Sequence, residues 1–489
     1  MTDIDRNSPI PLYHQLRTLI REQIESGVWR PGERIPTEQD LCHLYHISRS
    51  PVRQALNELA RDGLLVRRPG LGTFVNTRGS AGPAPDAPIR VMSSDPSWSD
   101  VLDRVSDVWN ADHPEQKATF DVEVVDHSQF YDLLSAAVGS GTAPDVAMVD
   151  SVWVAGLAQS GFLYAFEDLD PQGDHDGSVA DLYPAFVEAN SFDGRLYGLP
   201  IKTDASLLWY RRDLFAREGL EPPQDWDDLL QVARHFLQPR VQEQYGLVAS
   251  LAFPAGTAAG EATVYSLMPF IWSAGGGVFD AGAKHVILDG PGARRALQFV
   301  RELVTLHHVS LPDVVNHRWD TTPWLFGSGQ VAMALGGSYE SRIIRDTSGW
   351  GDGEFDQRVG CVAPPAAPGG SPVSTVGGTS YVILRQCRRP ALVMDVLRSA
   401  IHPDVVGDLY RSMLQSLPCL SFDAFLSPQA EPLLARVSSM ISAGRARPSI
   451  PGYFKVSRQL QAMFEAAIAD SAPVDDIVRR TAEFIGVIC

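Results

Sequence analysis

The chain has 489 residues, 44% hydrophobic and 20% charged, with a net charge of −18. That length and composition exclude a mostly disordered polymer and allow two to four domains. An acidic total normally argues against nucleic acid, but here the charge is uneven: residues 1–78 hold 11 Arg, no Lys and 9 Asp+Glu, and the remainder carries −20.

Leu12, Leu16, Leu19, Ile20 and Ile24 recur at helical spacing until Gly27 stops the helix. Pro31-Gly32 turns the chain, and Thr37 before Glu38-Gln39-Asp40 is an N-cap with acids in the first turn. A short helix to Tyr45, a break at His46-Ile47-Ser48 and a second helix from Arg49 to Arg61 form a helix-turn-helix. LLVRRPGLGTFV then gives two short strands around Pro69-Gly70-Leu71-Gly72, a wing. A Gly/Ala/Pro/Ser-rich spacer covers 79–88. From Ile89 the texture changes. Strands at 89–92, 121–125 and 145–149 alternate with helices at 100–110 and 131–138, the pattern of a parallel α/β sheet whose ligands lie beyond the strands' carboxyl ends. The uncharged stretch Ala262–Phe279 holds Pro269 and Gly275-Gly276-Gly277, so it reads as a buried helix end and a turn. Another strand is expected at 380–384.

Residues 1–78 resemble the winged-helix domain of the GntR regulator family. PGERIPTE, SRSPVRQAL, LARDGLL and GLGTFV carry the likeness. The remainder resembles the extracellular solute-binding proteins of the sugar-transport type, the class of maltose-binding protein. Its marks are GTAPDVAMVDSVW, FDGRLYGLPIKTDAS, FGSGQVAMALGGSYE, VGGTSYVI and RPSIPGYFKVSRQL, in that order. The resemblances imply a multidomain protein: a winged helix-turn-helix (1–78), a linker (79–88) and a two-lobed α/β periplasmic-binding-protein-like domain (89–489).

Arginine pairs bidentately with guanine in the major groove. Arg49 and Arg53 lie four apart on one helix face, with Ser48 and Ser50 within reach of phosphate or base edges. Arg67 and Arg68 flank the wing as phosphate ligands. The GntR resemblance adds Gln39, Gly70 and Gly72 as positions that approach DNA. Sugars need aromatic platforms for their apolar faces and acids or amides for their hydroxyls. Trp98, and Asp150 with Trp153, follow the first and third strands and are candidates by place. The binding-protein resemblance puts Asp204 at an acidic ligand position, Tyr339 at a stacking position and Tyr453 in a cleft-lining segment. Trp272 precedes the Gly-rich turn. Trp109, Trp209 and Trp226 read as core.

No HExxH, GxxxxGK[ST] or GxSxG run is present. QGDHDG lacks the first and twelfth calcium-loop ligands. His307, His308 and His317 match no common metal spacing and read as solvent-facing. Some GntR regulators carry an aminotransferase-like domain, but none of the four lysines (Lys117, Lys202, Lys284, Lys455) stands in a Schiff-base context. No catalytic residue, metal or cofactor is expected. Cys42, Cys361, Cys387, Cys419 and Cys489 have no CxxC spacing and fit a reducing compartment. MTDIDRNSPI lacks an apolar secretory core, so the expected location is the cytoplasm, with no membrane segment. The resulting expectation is a ligand-responsive regulator, a repressor, that binds operator DNA as a homodimer and senses a mono- or oligosaccharide between two lobes. The alternatives are a solute-binding component of a sugar transporter and a DNA-binding protein whose second part is a ligand-free scaffold.

Overall fold

The computed structural model describes residues 4, 12–25, 27–61, 63–68, 71–76, 87–96, 98–125, 129–170, 179–280, 285–412, 426 and 431–488. Gly70, the QGDHDG run and most of the 79–88 linker lie outside the described residues. The chain divides into two compact units. One comprises Met1–Met148, Leu157–Tyr164 and Ile383–Val396; the other comprises Val149–Gly156, Ala165–Val382 and Leu397–Cys489.

The first unit begins with α1 (Leu12–Glu25), α2 (Glu38–Leu44) and α3 (Arg49–Arg61), followed by β1 (Leu65–Arg68) and β2 (Gly72–Val75). Helix α2 starts on a reciprocal cap. The Thr37 hydroxyl accepts the Asp40 N–H at 3.2 Å, and the Asp40 carboxylate accepts the Thr37 N–H at 3.0 Å. Leu16, Leu19 and Ile20 of α1 pack with Leu41, Val52, Leu56 and Leu59 and with Leu65 and Val75 of the wing, all buried. The helical spacing read from the sequence is therefore the packing face. Strands β1 and β2 pair antiparallel from Leu65↔Val75 to Arg68↔Gly72. Gly72 adopts φ +120°, and a Cβ there would fall 2.6 Å from Arg34 Nε. The wing needs a glycine at this point for its own folding.

Three parallel strands follow: β3 (Ile89–Ser93), β4 (Phe120–Val124) and β5 (Val146–Asp150). Their order is β4-β3-β5. Helices α4 (Trp98–Asp112) and α5 (Phe130–Ser140) make the crossovers, as the alternation predicts. Every expected element in this stretch is present, shifted by one or two residues at its ends.

The second unit is organised by β6 (Gly198–Arg211), a 14-residue strand buried everywhere except at Lys202. The later elements that build on it are α6 (Trp226–Phe236), β7 (Ala249–Ala252), α7 (Glu261–Ser273), α8 (Pro291–Thr305), β8 (Val331–Gly337), β9 (Val359–Val362) and β10 (Thr375–Ile383). Helices α9 (Tyr453–Ala469) and α10 (Val474–Ile488) complete it. Strand β6 changes partner midway. Gly198 to Ala205 pair with β10, ending at Ala205↔Val376, and Ser206 to Tyr210 pair with β8, starting at Ser206↔Gly337. Asp204 stands at this handover. Helix α7 is buried along almost its whole length with Pro269 inside it, which is the buried helix that the uncharged stretch indicates. Trp209 and Trp226 are core, and the Trp226 ring stacks on Phe299 at 4.3 Å. Trp109 is also buried.

Candidate functional site

On the winged head, Gln39, Ser48, Arg49, Ser50, Arg53, Arg67 and Arg68 are all exposed. Arg49 and Arg53 lie on one face at the start of α3, as their spacing requires. They are not loose. Glu38, in the first turn of α2, accepts from Arg49 Nε at 3.3 Å and Arg53 Nη2 at 3.4 Å, and lies 3.7 Å from Arg67 Nη2. One carboxylate thus gathers three cations from helix and wing. Exposed pairs of this kind contribute about 0–1 kcal/mol, so the arginines can exchange Glu38 for phosphate or base edges at small cost. Arg68 lies over the Phe74 ring at 4.9 Å and extends along the wing. Sequence reading took Glu38 only as a first-turn acid. Its second role depends on the turn that brings α2 against α3.

In the second unit, four of the expected ligand residues meet around a guanidinium that sequence reading did not single out. Arg447 is 4% exposed. Its Nη2 lies 3.2 Å from Asp150 Oδ1, its Nη1 lies 2.5 Å from Glu261 Oε1, and its guanidinium sits 5.1 Å from the Tyr265 ring centre. Glu261, in the first turn of α7, also accepts from the Tyr453 hydroxyl at 2.7 Å and from Ser457. The Tyr265 hydroxyl donates to Asp204, and its ring meets Tyr339 edge-on at 5.8 Å. Asp150, Asp204, Tyr339 and Tyr453 are therefore joined through Arg447, Glu261 and Tyr265. Gly377 makes room for the cation, since a Cβ there would fall 2.5 Å from Arg447 Nη2.

Burial dominates the electrostatics. It pushes the Asp204 carboxyl up, against the downward pull of Lys202, the Tyr265 hydroxyl and Arg447. Burial, together with neighbouring carboxylates, also pushes the hydroxyls of Tyr265, Tyr339 and Tyr453 well above the ordinary tyrosine range, so they remain hydrogen-bond donors. Arg447 Nε is buried with no hydrogen-bond partner among the described residues. The cavity beside Arg447, lined by Ser151, Val376, Gly377 and Ser449, holds about 10 Å³. That is room for one water.

Three other expected ligand residues remain, and one of them, Trp153, is on the turn directly after Asp150. Trp98 is the first residue of α4 and is 1% exposed, so it is packed inside a helix start and not displayed on a loop. Trp153 ends the 3₁₀ turn that Asp150 caps and is half-buried. Trp272, near the end of α7, has the Arg445 guanidinium 4.8 Å from its ring centre and lines a separate cavity of about 490 Å³ with Arg295 and Gly369-Gly370. His317 is a correction to the sequence reading. It is buried, 3.6 Å from Asp313, and desolvation lowers its pKa. Among the described residues no His, Cys, Asp and Glu gather as a metal site, and no helix is long and apolar enough to cross a membrane.

Known proteins divide along the same chain. The family of bacterial extracellular solute-binding proteins matches residues 92–405, and the gntR family of bacterial regulatory proteins matches residues 12–75. The histidine utilization repressor of Klebsiella aerogenes is 49% identical over 70 residues, 14% of this chain and 29% of the repressor. A binding protein of Brucella abortus is 25% identical over 316 residues, 64% of this chain and 71% of the relative. The chain thus spans about three tenths of that repressor's length. Among solved structures, a solute-binding protein of Thermotoga lettingae bound with α-D-tagatose has a TM-score of 0.71 at 21% identity, covering 82% of this chain and 98% of that one. Maltose-bound MalE3 of T. maritima has a TM-score of 0.69 at 22% identity, covering 82% and 100%. These likenesses establish a two-lobe α/β binding-protein fold behind a helix-turn-helix region.

Proposed function

The chain belongs to the bacterial extracellular solute-binding protein family and carries a gntR-family regulatory domain ahead of that region, and from this premise we propose that it is a ligand-responsive transcriptional regulator that senses a carbohydrate. The observation that carries the proposal is the joined set Asp150, Asp204, Tyr265, Tyr339, Glu261 and Tyr453 around Arg447. Acids and aromatic hydroxyls in one buried place are what sugar hydroxyls require, and ring faces take the sugar's apolar side. A sugar oxygen at Arg447 Nε would also satisfy a buried donor whose isolation costs ~1–3 kcal/mol. Since the cavity beside Arg447 holds about 10 Å³, binding must be accompanied by opening of this cluster.

Arg49 and Arg53 read base edges in operator DNA, while Arg68 and the wing hold phosphate. The protein acts in the cytoplasm as a homodimer on paired half-sites, with 1–78 as its DNA-binding domain, 79–88 as linker and 89–489 as sensor. It performs no catalysis, and sugar relieves repression. A coupling of ~1–3 kcal/mol would change operator affinity ~5–150-fold, and operator must change sugar affinity by the same factor.

The test is thermal unfolding of the full chain against mono- and oligosaccharides, with polyols and amino acids as controls. A specific ligand at 100 times its Kd adds ~2.7 kcal/mol. The compound that shifts unfolding must also shift operator binding; a compound that stabilises the chain and leaves operator affinity unchanged defeats the regulatory reading. A ligand-free scaffold is the second reading. It is favoured by one observation: Arg447 already pairs with both Asp150 and Glu261. A silent panel would move the balance to it.

A further inference from the structure

We propose that the first unit holds a second binding site, for a small phosphate-bearing polyanion, where helix α1 of the winged head meets the β-sheet part of the unit. A cavity of about 270 Å³ lies there. Small-molecule pockets typically start near ~300 Å³. Its lining brings together Arg17 and Arg21 from α1 with Arg90, Arg388 and Arg389, and Asp145 is the one carboxylate among the lining residues. Five guanidinium groups around one small space stand out in a chain whose net charge is −18.

The placement is built. Arg17 is 4% exposed and is fixed by Glu58 at 3.3 Å. It lies against Gly141, the left-handed residue that ends α5, where a Cβ would fall 2.8 Å from Arg17 Nη1. One turn earlier on α1, the Tyr13 hydroxyl donates to the Gly139 carbonyl. Arg90 is braced by its bonds to the Thr142 and Ala143 carbonyls at 3.1 and 3.3 Å. Arg389 donates to the Ala87 carbonyl. The Asp145 carboxylate accepts the Arg90 backbone N–H at 3.0 Å. Three of the five guanidinium groups are thus held in place beside the cavity, Arg17 by Glu58 and Arg90 and Arg389 by backbone carbonyls.

Planar guanidinium groups match phosphate bidentately, and several around one space select multiple negative charge. A bound polyanion would contact α1 and the sheet together and restrict the motion of the DNA-binding head relative to the rest of its unit. This site is independent of the carbohydrate reading, and its test contains no sugar.

The full chain is titrated with pyrophosphate by calorimetry and thermal unfolding at constant ionic strength, with citrate as a polyanion without phosphate. The expected result is saturable binding of pyrophosphate, weakened at least tenfold in Arg388→Glu, an exposed position, and in Arg21→Glu, and unchanged in the Arg49→Ala/Arg53→Ala double variant. Citrate should bind at least tenfold more weakly. Absence of saturable binding overturns the proposal, as does binding that survives both Arg388→Glu and Arg21→Glu. Loss of binding in the Arg49/Arg53 variant assigns the anion to the DNA-reading face and overturns it equally. Equal binding of citrate overturns the phosphate class.

Discussion

Replacing Arg447 by methionine tests the centre of the buried cluster. The side chain keeps its approximate length and loses its charge. At the 3.2 and 2.5 Å contacts seen here, each carboxylate lies roughly 4 Å from the guanidinium carbon, and a pair at that separation is worth about 4 kcal/mol at an effective dielectric of ~20. Part of this returns as the desolvation of the cation is relieved. The measured cost of breaking a buried pair from one side, about 3–5 kcal/mol, is therefore the expected loss at pH 7. Its pH dependence has a definite sign. Without Arg447, the Asp204 carboxyl loses one of the charges that hold its pKa down, and that pKa rises further. Stability tied to a raised acid pKa is present at low pH and is lost as pH climbs through it, so the deficit at pH 5 must be smaller than at pH 7. Urea unfolding of the full chain at both pH values measures this. Adding Glu261→Gln to Arg447→Met should recover at least about 1 kcal/mol, because it removes one of the uncompensated carboxylates. A deficit below about 1 kcal/mol at pH 7, or one that grows toward pH 5, would refute the picture of a buried cation holding the cluster together.

Three further outcomes follow from the same geometry. Arg49→Ala should lose ~1–3 kcal/mol of discrimination between operator and random DNA, whereas Arg68→Ala should weaken both alike; fluorescence anisotropy with the two duplexes separates them, and identical behaviour would sink the division between base and phosphate contacts. Glu38→Gln releases Arg49, Arg53 and Arg67 from their shared carboxylate and should raise affinity for any duplex, by up to about fivefold for an exposed pair; a fall in affinity would mean that Glu38 itself reads DNA. Glu340 is buried with its pKa raised from 4.5 to about 8 by desolvation, against the pull of the Trp209 indole N–H at 3.1 Å. Its stability contribution is complete below pH 4.5 and is lost as pH rises through about 8, at a slope of up to ~1.4 kcal/mol per pH unit. Glu340→Gln should flatten the unfolding profile across that window, and an unchanged slope would show that Glu340 does not titrate there.

What the sequence discloses depends on whether a feature is local. The capping pair Thr37 and Asp40, the α1 stripe of Leu16, Leu19 and Ile20, and the alternation through β3, α4, β4, α5 and β5 all rest on spacings of two to four residues, and each appears in the fold. Strand β6 escaped notice because Pro200 and Asp204 look like loop residues, and only its burial between β8 and β10 makes a continuous strand of them. Trp98 misled for the opposite reason. A tryptophan in a Ser/Asp/Pro stretch looks displayed, but it is the first helical residue and packs inward. Arg447 lies 186 residues from Glu261 and 297 from Asp150, so no local pattern could bring the three together. The weak local signals were a glutamate in the first turn of a helix too apolar to need one at its surface, and an arginine six residues before Tyr453. A carboxylate at the start of a buried helix must either pair with a cation elsewhere in the chain or take up a proton, as burial favours for Glu340, because an uncompensated buried charge costs several kcal/mol. Only the fold names Arg447 as that cation. The same reasoning separates the two halves of the site: the acids and tyrosines could be expected from chemistry, but the guanidinium that fills the space between them decides whether ligand must compete with the protein's own side chain.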